Sequence, residues 1–366
     1  MVIGPRALEE MAINRAPFGD VFAGRRVLVT GHTGFKGSWL SICLLRAGAT
    51  VGGYALPPRT ARDNFVVSKL DGQLEHHEGD VRDRARLLSV FSAFRPEVVF
   101  HLAAQPLVRC SYENPADTFS TNVLGTVNVM DAIRSVPECK TAVMVTSDKC
   151  YENQEWTWGY RETDRLGGHD PYSASKAAAE IAVSAYRRSY FRPEHRGIAT
   201  ARAGNVIGGG DWCPDRLIPD CIRALERNET ITLRNPASTR PWQHVLEPIS
   251  GYLKLAEALQ ANSEGFDDAW NFGPDPAQVY TVQQVVELAV NNWGGGRCES
   301  VGGKSHHEAG LLALDISKAR HKLGWRPVWN TPRAVEETVR WYRDAGKGDV
   351  FDFCVRQIEA YEKGEK

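Results

Sequence analysis

Two groups of residues in this sequence have the types and spacing to do chemistry. The first is Gly31-His32-Thr33-Gly34-Phe35-Lys36-Gly37, entered directly from the β-branched run Arg26-Val27-Leu28-Val29-Thr30 and followed by a helical pattern. The second is Tyr172-Ser173-Ala174-Ser175-Lys176, which puts a phenol and an amine four residues apart. In the first group Gly31 permits a tight turn, Gly34 lets backbone approach a pyrophosphate, and Gly37 lets the helix pack closely on the strand. The helix N-terminus then offers unpaired N–H groups and partial positive charge to the phosphates. Strand before and helix after turn a bare glycine pattern into a dinucleotide site. In the second group, residues four apart on a helix share a face. A phenol titrates at about 10 in water. A neighbouring ammonium and a nicotinium ring favour the phenolate and lower that value. Tyr172 is then suited to take a proton from a substrate hydroxyl as hydride passes to a nicotinamide. Lys176 is also suited to hold the nicotinamide ribose.

The ribose end of the dinucleotide is less clear. An NAD-type domain usually carries an acid about twenty residues beyond the loop. Here that stretch reads Tyr54-Ala55-Leu56-Pro57-Pro58-Arg59. Lys36 and Arg59 would tolerate a ribose phosphate, so these residues leave NAD and NADP open. Gly79-Asp80-Val81 is placed to meet the adenine, with Asp80 accepting from its amino group and Val81 covering a face. Asp80 also reads as a helix N-cap, because a helical run follows it.

These groups need a scaffold, and the first half of the chain supplies one. Strands are predicted at 26–30, 50–55, 74–78, 98–101, 141–146 and 197–203. Helices are predicted at 38–47, 82–94, 118–134 and 171–192. Such alternation gives a parallel sheet covered on both faces by helices, and right-handed crossovers make it doubly wound. The expected architecture is an α/β Rossmann sheet over residues 21–203, preceded by a tail at 1–20. A smaller C-terminal α/β part at 204–366 is expected to close over the strand ends, where ligands bind in open α/β folds. The boundary is soft, because later segments can return to the sheet. Helices are predicted there at 217–227, 246–259, 282–293 and 332–342, the last closing the pattern.

Composition narrows the function classes. The chain has 366 residues, with 44 Lys plus Arg against 45 Asp plus Glu. That balance calls for neither nucleic acid nor an anionic membrane. No apolar run is long enough to span a bilayer, and the first twenty residues lack a continuous signal core. The eight Cys are scattered, with no CxxC pair. No metal site is expected, and free thiols point to a reducing cytoplasm. Adjacent histidines on a strand point to opposite faces, so His76-His77 and His306-His307 are poor chelates.

Together these motifs resemble the extended short-chain dehydrogenase/reductase family, over about residues 25–342. His101-Leu102-Ala103-Ala104 resembles the family segment beside the nicotinamide and pyrophosphate, with Gln105 next to it on the substrate side. Asn122 matches the family's helix asparagine, and Ser147 the hydroxyl that works with Tyr172. Longer runs resemble the branch of that family that dehydrates CDP-glucose. They are Gly31 to Trp39, Thr146 to Tyr151, Gly167 to Tyr172, Arg202 to Trp212 and Arg240 to Val245. The resemblance implies tightly held NAD, a nucleotide-sugar substrate, and a homodimer or homotetramer. It points to Arg202, Asn205, Arg240 and His244 as substrate contacts, since a guanidinium can grip two phosphate oxygens. A strand-end ion pair is the alternative for Arg202, and a surface charge for Arg240.

The reaction so implied oxidises the sugar at C4, eliminates water across C5 and C6, and returns hydride to C6. Asp148 is the candidate acid for the departing 6-hydroxyl. Lys149 stands where related dTDP-glucose enzymes carry a glutamate base. An ammonium has no lone pair, so Lys149 takes the C5 proton only when neutral. Otherwise it stabilises the enolate as a cation or forms a structural ion pair.

Overall fold

The computed structural model describes residues 20–233, 235–300 and 311–365. The expected tail lies outside these apart from Asp20, as do His306 and His307. Seven strands form the central sheet: β1 (Arg26–Thr30), β2 (Thr50–Ala55), β3 (Glu75–Glu78), β4 (Val98–His101), β5 (Thr141–Val145), β6 (Gly197–Ala203) and β7 (Ala269–Phe272). Their order is β3-β2-β1-β4-β5-β6-β7, and every pairing is parallel. The chain winds outward in one direction from β1 and then in the other from β4. That switch point opens a crevice at the strands' C-terminal ends.

Alternation along β1 fills both faces. Val27 and Val29 join one apolar cluster with Trp39, Leu40, Tyr252 and Ile358, while Leu28 joins another with Leu87, Phe91, Met130 and Val183. Helices of the first half include α1 (Phe35–Arg46), α2 (Arg84–Phe94), α3 (Pro115–Phe119), α4 (Gly125–Ser135) and α5 (Pro171–Tyr186). Later come α6 (Leu217–Glu226), α7 (Leu246–Ala261), α8 (Val282–Trp293), α9 (Thr331–Asp344) and α10 (Val350–Glu362). Starts are fixed by side-chain caps: Asp83 accepts from the Arg86 amide, Asp170 from Ser173, Asn330 from Arg333 and Asp349 from Asp352. Pro171 occupies the first turn of α5, where its missing N–H costs nothing.

Two expectations change. The helix predicted at 118–134 is α3 and α4 joined by a π turn over Ser120–Leu124. As the soft boundary allowed, the sheet gains β7 from beyond residue 203, and α7 and α10 pack on the same core as α1. The pattern does not close at residue 342, because α10 follows. Its Tyr361 hydroxyl donates to Glu247 of α7, whose carboxyl also accepts from the Val328 and Trp329 amides. Among the described residues no helix is long and apolar enough to cross a membrane, and no His, Cys, Asp or Glu cluster could hold a metal ion.

Candidate active site

The glycine loop leaves β1 with Gly31 at φ +76°, the left-handed region that favours glycine. A Cβ on Gly31 would lie 2.7 Å from the Ala103 nitrogen, and one on Gly37 would lie 2.1 Å from the Gly31 oxygen. These approaches seat α1 directly against the loop. Gly34 precedes α1 with no side-chain cap, so the first-turn N–H groups are left for an anion. A dinucleotide pyrophosphate fits that arrangement. Thr33 Oγ1 donates to the Leu56 carbonyl at 2.8 Å and ties the loop to the end of β2. Phe35 packs beneath Gly208. His32 is sealed in the interior, 2.7 Å from His76, and burial drives its pKa down to about 3. Only its backbone is available to a ligand.

Lys36 departs from its expected place. The charges that act on it are Arg216, Asp148, Lys176 and Asp211, so its ammonium lies on the side of Asp148 and Lys176 rather than of the acid-free stretch after Tyr54. Burial lowers its pKa to about 8. Arg59 is exposed and donates to Cys213 Sγ. Asp80 is not the cap of α2, a place held by Asp83; its carboxylate is chelated by Arg82 and drawn below its ordinary range by that contact. Val81 is buried against Gly125. The amides of Leu102 and Ala103 both donate to Thr30 Oγ1, which fixes the segment beside the loop, with half-buried Ala104 following.

The π turn carries Asn122. Its Oδ1 accepts from the Gln105 amide, and its Nδ2 donates to the Gln105 carbonyl and to Ser175 Oγ. One amide thereby locks the Gln105 segment to α5. The Gln105 side chain is spent on Leu107 and Thr118, which removes it from the expected substrate contacts.

Ser147, Asp148 and Lys149 follow β5 in a single tight turn. Ser147 Oγ donates to Asp148 Oδ1 at 2.9 Å and accepts from the Lys149 amide. The Ser147 hydroxyl also acts on the Tyr172 phenol, favouring its ionised form. The second Asp148 oxygen is buried with no hydrogen-bond partner among the described residues, and burial raises the carboxyl's pKa despite Lys149 and Lys36. The shift is toward the protonated form that proton donation requires. Lys176 is only 6% exposed, its ammonium takes part in no hydrogen bond among the described residues, and burial lowers its pKa to about 8. Tyr172 departs from expectation, since in the protein alone burial outweighs every neighbour and pushes its phenol up to about 12.

Beyond this turn opens a cavity of about 650 Å³, walled by Lys149, Asn205, Arg216 and Arg240 among others. That volume suits a small-molecule ligand. Two expected substrate residues, Asn205 and Arg240, line it. Arg202 does not; it is an interior ion pair with Glu180 at 2.8 Å, bonded also to the Tyr151 hydroxyl and the Glu162 carbonyl. His244 does not either, being sealed edge-on to Trp39 and Trp329 with its pKa lowered to about 3 by burial. Sequence reading missed Arg216, whose signal was one arginine ahead of a predicted helix, and the Glu180 that engages Arg202 one turn beyond Lys176.

A switch-point crevice and a glycine loop, with Ser147 after β5 and Tyr172 and Lys176 on α5, are the arrangement of an extended short-chain dehydrogenase/reductase. Residues 28–338 match the family model for GDP-mannose 4,6 dehydratase, and the chain belongs to that family. It is 48% identical over 349 residues, 93% of its own length and 97% of the relative's, to a CDP-glucose 4,6-dehydratase from Salmonella typhimurium. It is 27% identical over 336 residues, 86% and 92% of the two chains, to a dTDP-glucose 4,6-dehydratase from Xanthomonas campestris. The fold matches that of DesIV, a dTDP-glucose 4,6-dehydratase from Streptomyces venezuelae solved with NAD and TYD bound. The TM-score is 0.74 at 24% identity, covering 87% of this chain and 97% of that one.

Proposed function

We propose that the protein is an NAD-dependent hydro-lyase that converts CDP-glucose to CDP-4-dehydro-6-deoxyglucose and water. The observation that carries this reading is the near-full-length 48% identity to an enzyme of that name. Gly31, Gly34 and the first turn of α1 would hold the NAD pyrophosphate, and Tyr172 and Lys176 its nicotinamide end. Bound NAD supplies a hydride acceptor for C4 and, once reduced, a hydride donor for C6. Tyr172 takes the 4-hydroxyl proton, with Ser147 holding the same oxygen. Asp148, whose carboxyl burial pushes toward the protonated form, gives its proton to the 6-hydroxyl as that group leaves as water. Lys149, on the cavity wall, takes the C5 proton when neutral. Asn205 and Arg240 stand where the substrate diphosphate would pass.

Exposed Phe119, Leu124 and Ile181 lie on the neighbouring helices α3, α5 and the π turn. They support a second copy of the chain as partner, hence a homodimer or homotetramer, and the unpaired thiols suit a cytoplasmic setting. The function is tested by incubating the pure protein with CDP-, dTDP-, GDP- and UDP-glucose. CDP-glucose should lose one water with no net reduction of NAD, and deuterium placed at C4 should appear at C6. An epimer of unchanged mass, or label lost to solvent, would overturn the reading.

A further inference from the structure

The cavity has two unlike walls. One belongs to the reacting groups: Lys149 follows β5, and Ser173 adjoins Tyr172 at the start of α5. The other is apolar. Leu217 and Cys221 of α6, Ile231 and Leu233 of the strand Thr230–Leu233, and Val282 at the start of α8 line the cavity and pack in one cluster. A nucleotide sugar is divided in the same way. It has a hexose to be turned over and a flat base that gains from apolar contact. With the hexose at Lys149 and Tyr172, the apolar wall is left for the base.

One cavity-lining residue of α6 breaks the apolar character of that wall. Asp220 lies three residues beyond Leu217, so the two share a face of α6. Its side chain is 43% exposed, and Oδ1 accepts from Arg223 Nη2 one turn along the helix. Arg223 also donates to the Trp212 carbonyl at 3.2 Å and the Cys213 carbonyl at 3.5 Å. The carboxylate is thereby held from one side. Its Oδ2 accepts from no group among the described residues. Other acids on the lining are already engaged. Asp170 gives both oxygens to Ser173, Glu152 pairs with Arg165 at 2.8 Å, and Asp215 pairs with Arg109 at 2.6 Å.

Pyrimidine bases differ at C4. Cytosine carries an amino group there, whereas uracil and thymine carry a keto oxygen. An ionised carboxylate only accepts, so it suits the amino group and opposes the keto oxygen. Specificity of this kind comes as much from repelling the wrong base as from holding the right one. On the reading that the substrate is a CDP-sugar, we propose that Asp220 is the specificity-determining residue for the base: Arg223 holds its carboxylate on the apolar wall, and Oδ2 accepts from the 4-amino group of cytosine.

The test uses the NAD-bound protein and measures CDP and UDP binding by titration calorimetry in the wild type, Asp220→Asn and Asp220→Leu. The wild type should bind CDP at least about tenfold more tightly than UDP, the scale of one well-placed polar contact to a base. Asp220→Asn can donate as well as accept, so it should bring the two affinities close to parity by weakening CDP and strengthening UDP. Asp220→Leu should weaken CDP about tenfold without weakening UDP. Retained NAD affinity in each variant certifies the fold. A wild-type CDP to UDP ratio in both variants, or an equal loss of both nucleotides, would overturn the proposal, as would a wild type without the preference. Because neither nucleotide carries a sugar, the result stands apart from the reaction. A collapsed ratio supports Asp220 even if CDP-glucose is not dehydrated, and an unchanged ratio removes Asp220 even if it is.

Discussion

Glu180 and Arg202 lie 2.8 Å apart with 3% of each side chain exposed, so neither can lose its partner without leaving a bare charge in the core. Thr146 and Thr200 hydroxyls complete the shell around Glu180. Arg202→Met should therefore destabilise the fold by about 3–5 kcal/mol, read by urea unfolding. Adding Glu180→Gln should recover part of the loss, and the KM of the folded fraction should stay close to wild type. A large KM effect in a protein of unchanged stability would return Arg202 to the substrate. Lys149 carries the opposite expectation, because its side chain lines the cavity. Lys149→Met should bind both ligands and still form bound NADH, yet lose exchange of the C5 proton with solvent. Exchange at the wild-type rate would remove Lys149 as base. Tyr172, Lys176 and the glycines were legible in the sequence because their geometry is local, set by one turn of helix or one tight loop. Arg202, His244, Gln105 and Lys36 were not, because a long or buried side chain takes its direction from elements distant in sequence. Motif membership alone does not say which way it points.

At the scale of elements, the closest contact is between the loop and its helix. A methyl on Gly37 would stand 2.1 Å from the Gly31 oxygen, and that neighbour is backbone with no rotamer to yield. Gly37→Ala should force α1 off β1, at about 1–3 kcal/mol for an overpacked site. NAD binding, followed by quenching of protein fluorescence, should weaken with the melting temperature. Unchanged affinity would mean that α1 does not set the phosphate site. The central strands were read to within a residue, since buried parallel strands are short apolar runs. The four-residue β7 was missed because Ala-Trp-Asn-Phe is too short and too mixed to show a period. The π turn was missed for another reason: widening one turn leaves the 3.6-residue pattern almost intact. Such turns cluster at functional sites, and here the widened turn carries Asn122.

For the whole molecule, titration sets where the fold is most stable. His32, His101 and His244 ordinarily titrate at 6.5 but are held at about 3 by burial. The unfolded chain takes up their protons first, so the stability they contribute is full above pH 6.5 and drains as pH falls below it. Glu247 acts in reverse. Burial raises it from 4.5 to about 7, so its contribution is full below pH 4.5 and is lost as pH rises to about 7. Each unit of separation is worth about 1.4 kcal/mol. Glu247→Gln should therefore gain melting temperature relative to wild type between pH 5 and pH 8. A constant difference across that range would mean that Glu247 is charged throughout. The same architecture has a consequence for synthesis. Strand β6 is fully buried in the finished sheet, but its outer neighbour β7 leaves the ribosome only after α6 and α7 have been made. Until then the nascent chain carries an open row of N–H and C=O groups along β6, and such an edge invites pairing with another chain. Chains stopped short of Ala269 should accordingly gather into aggregates.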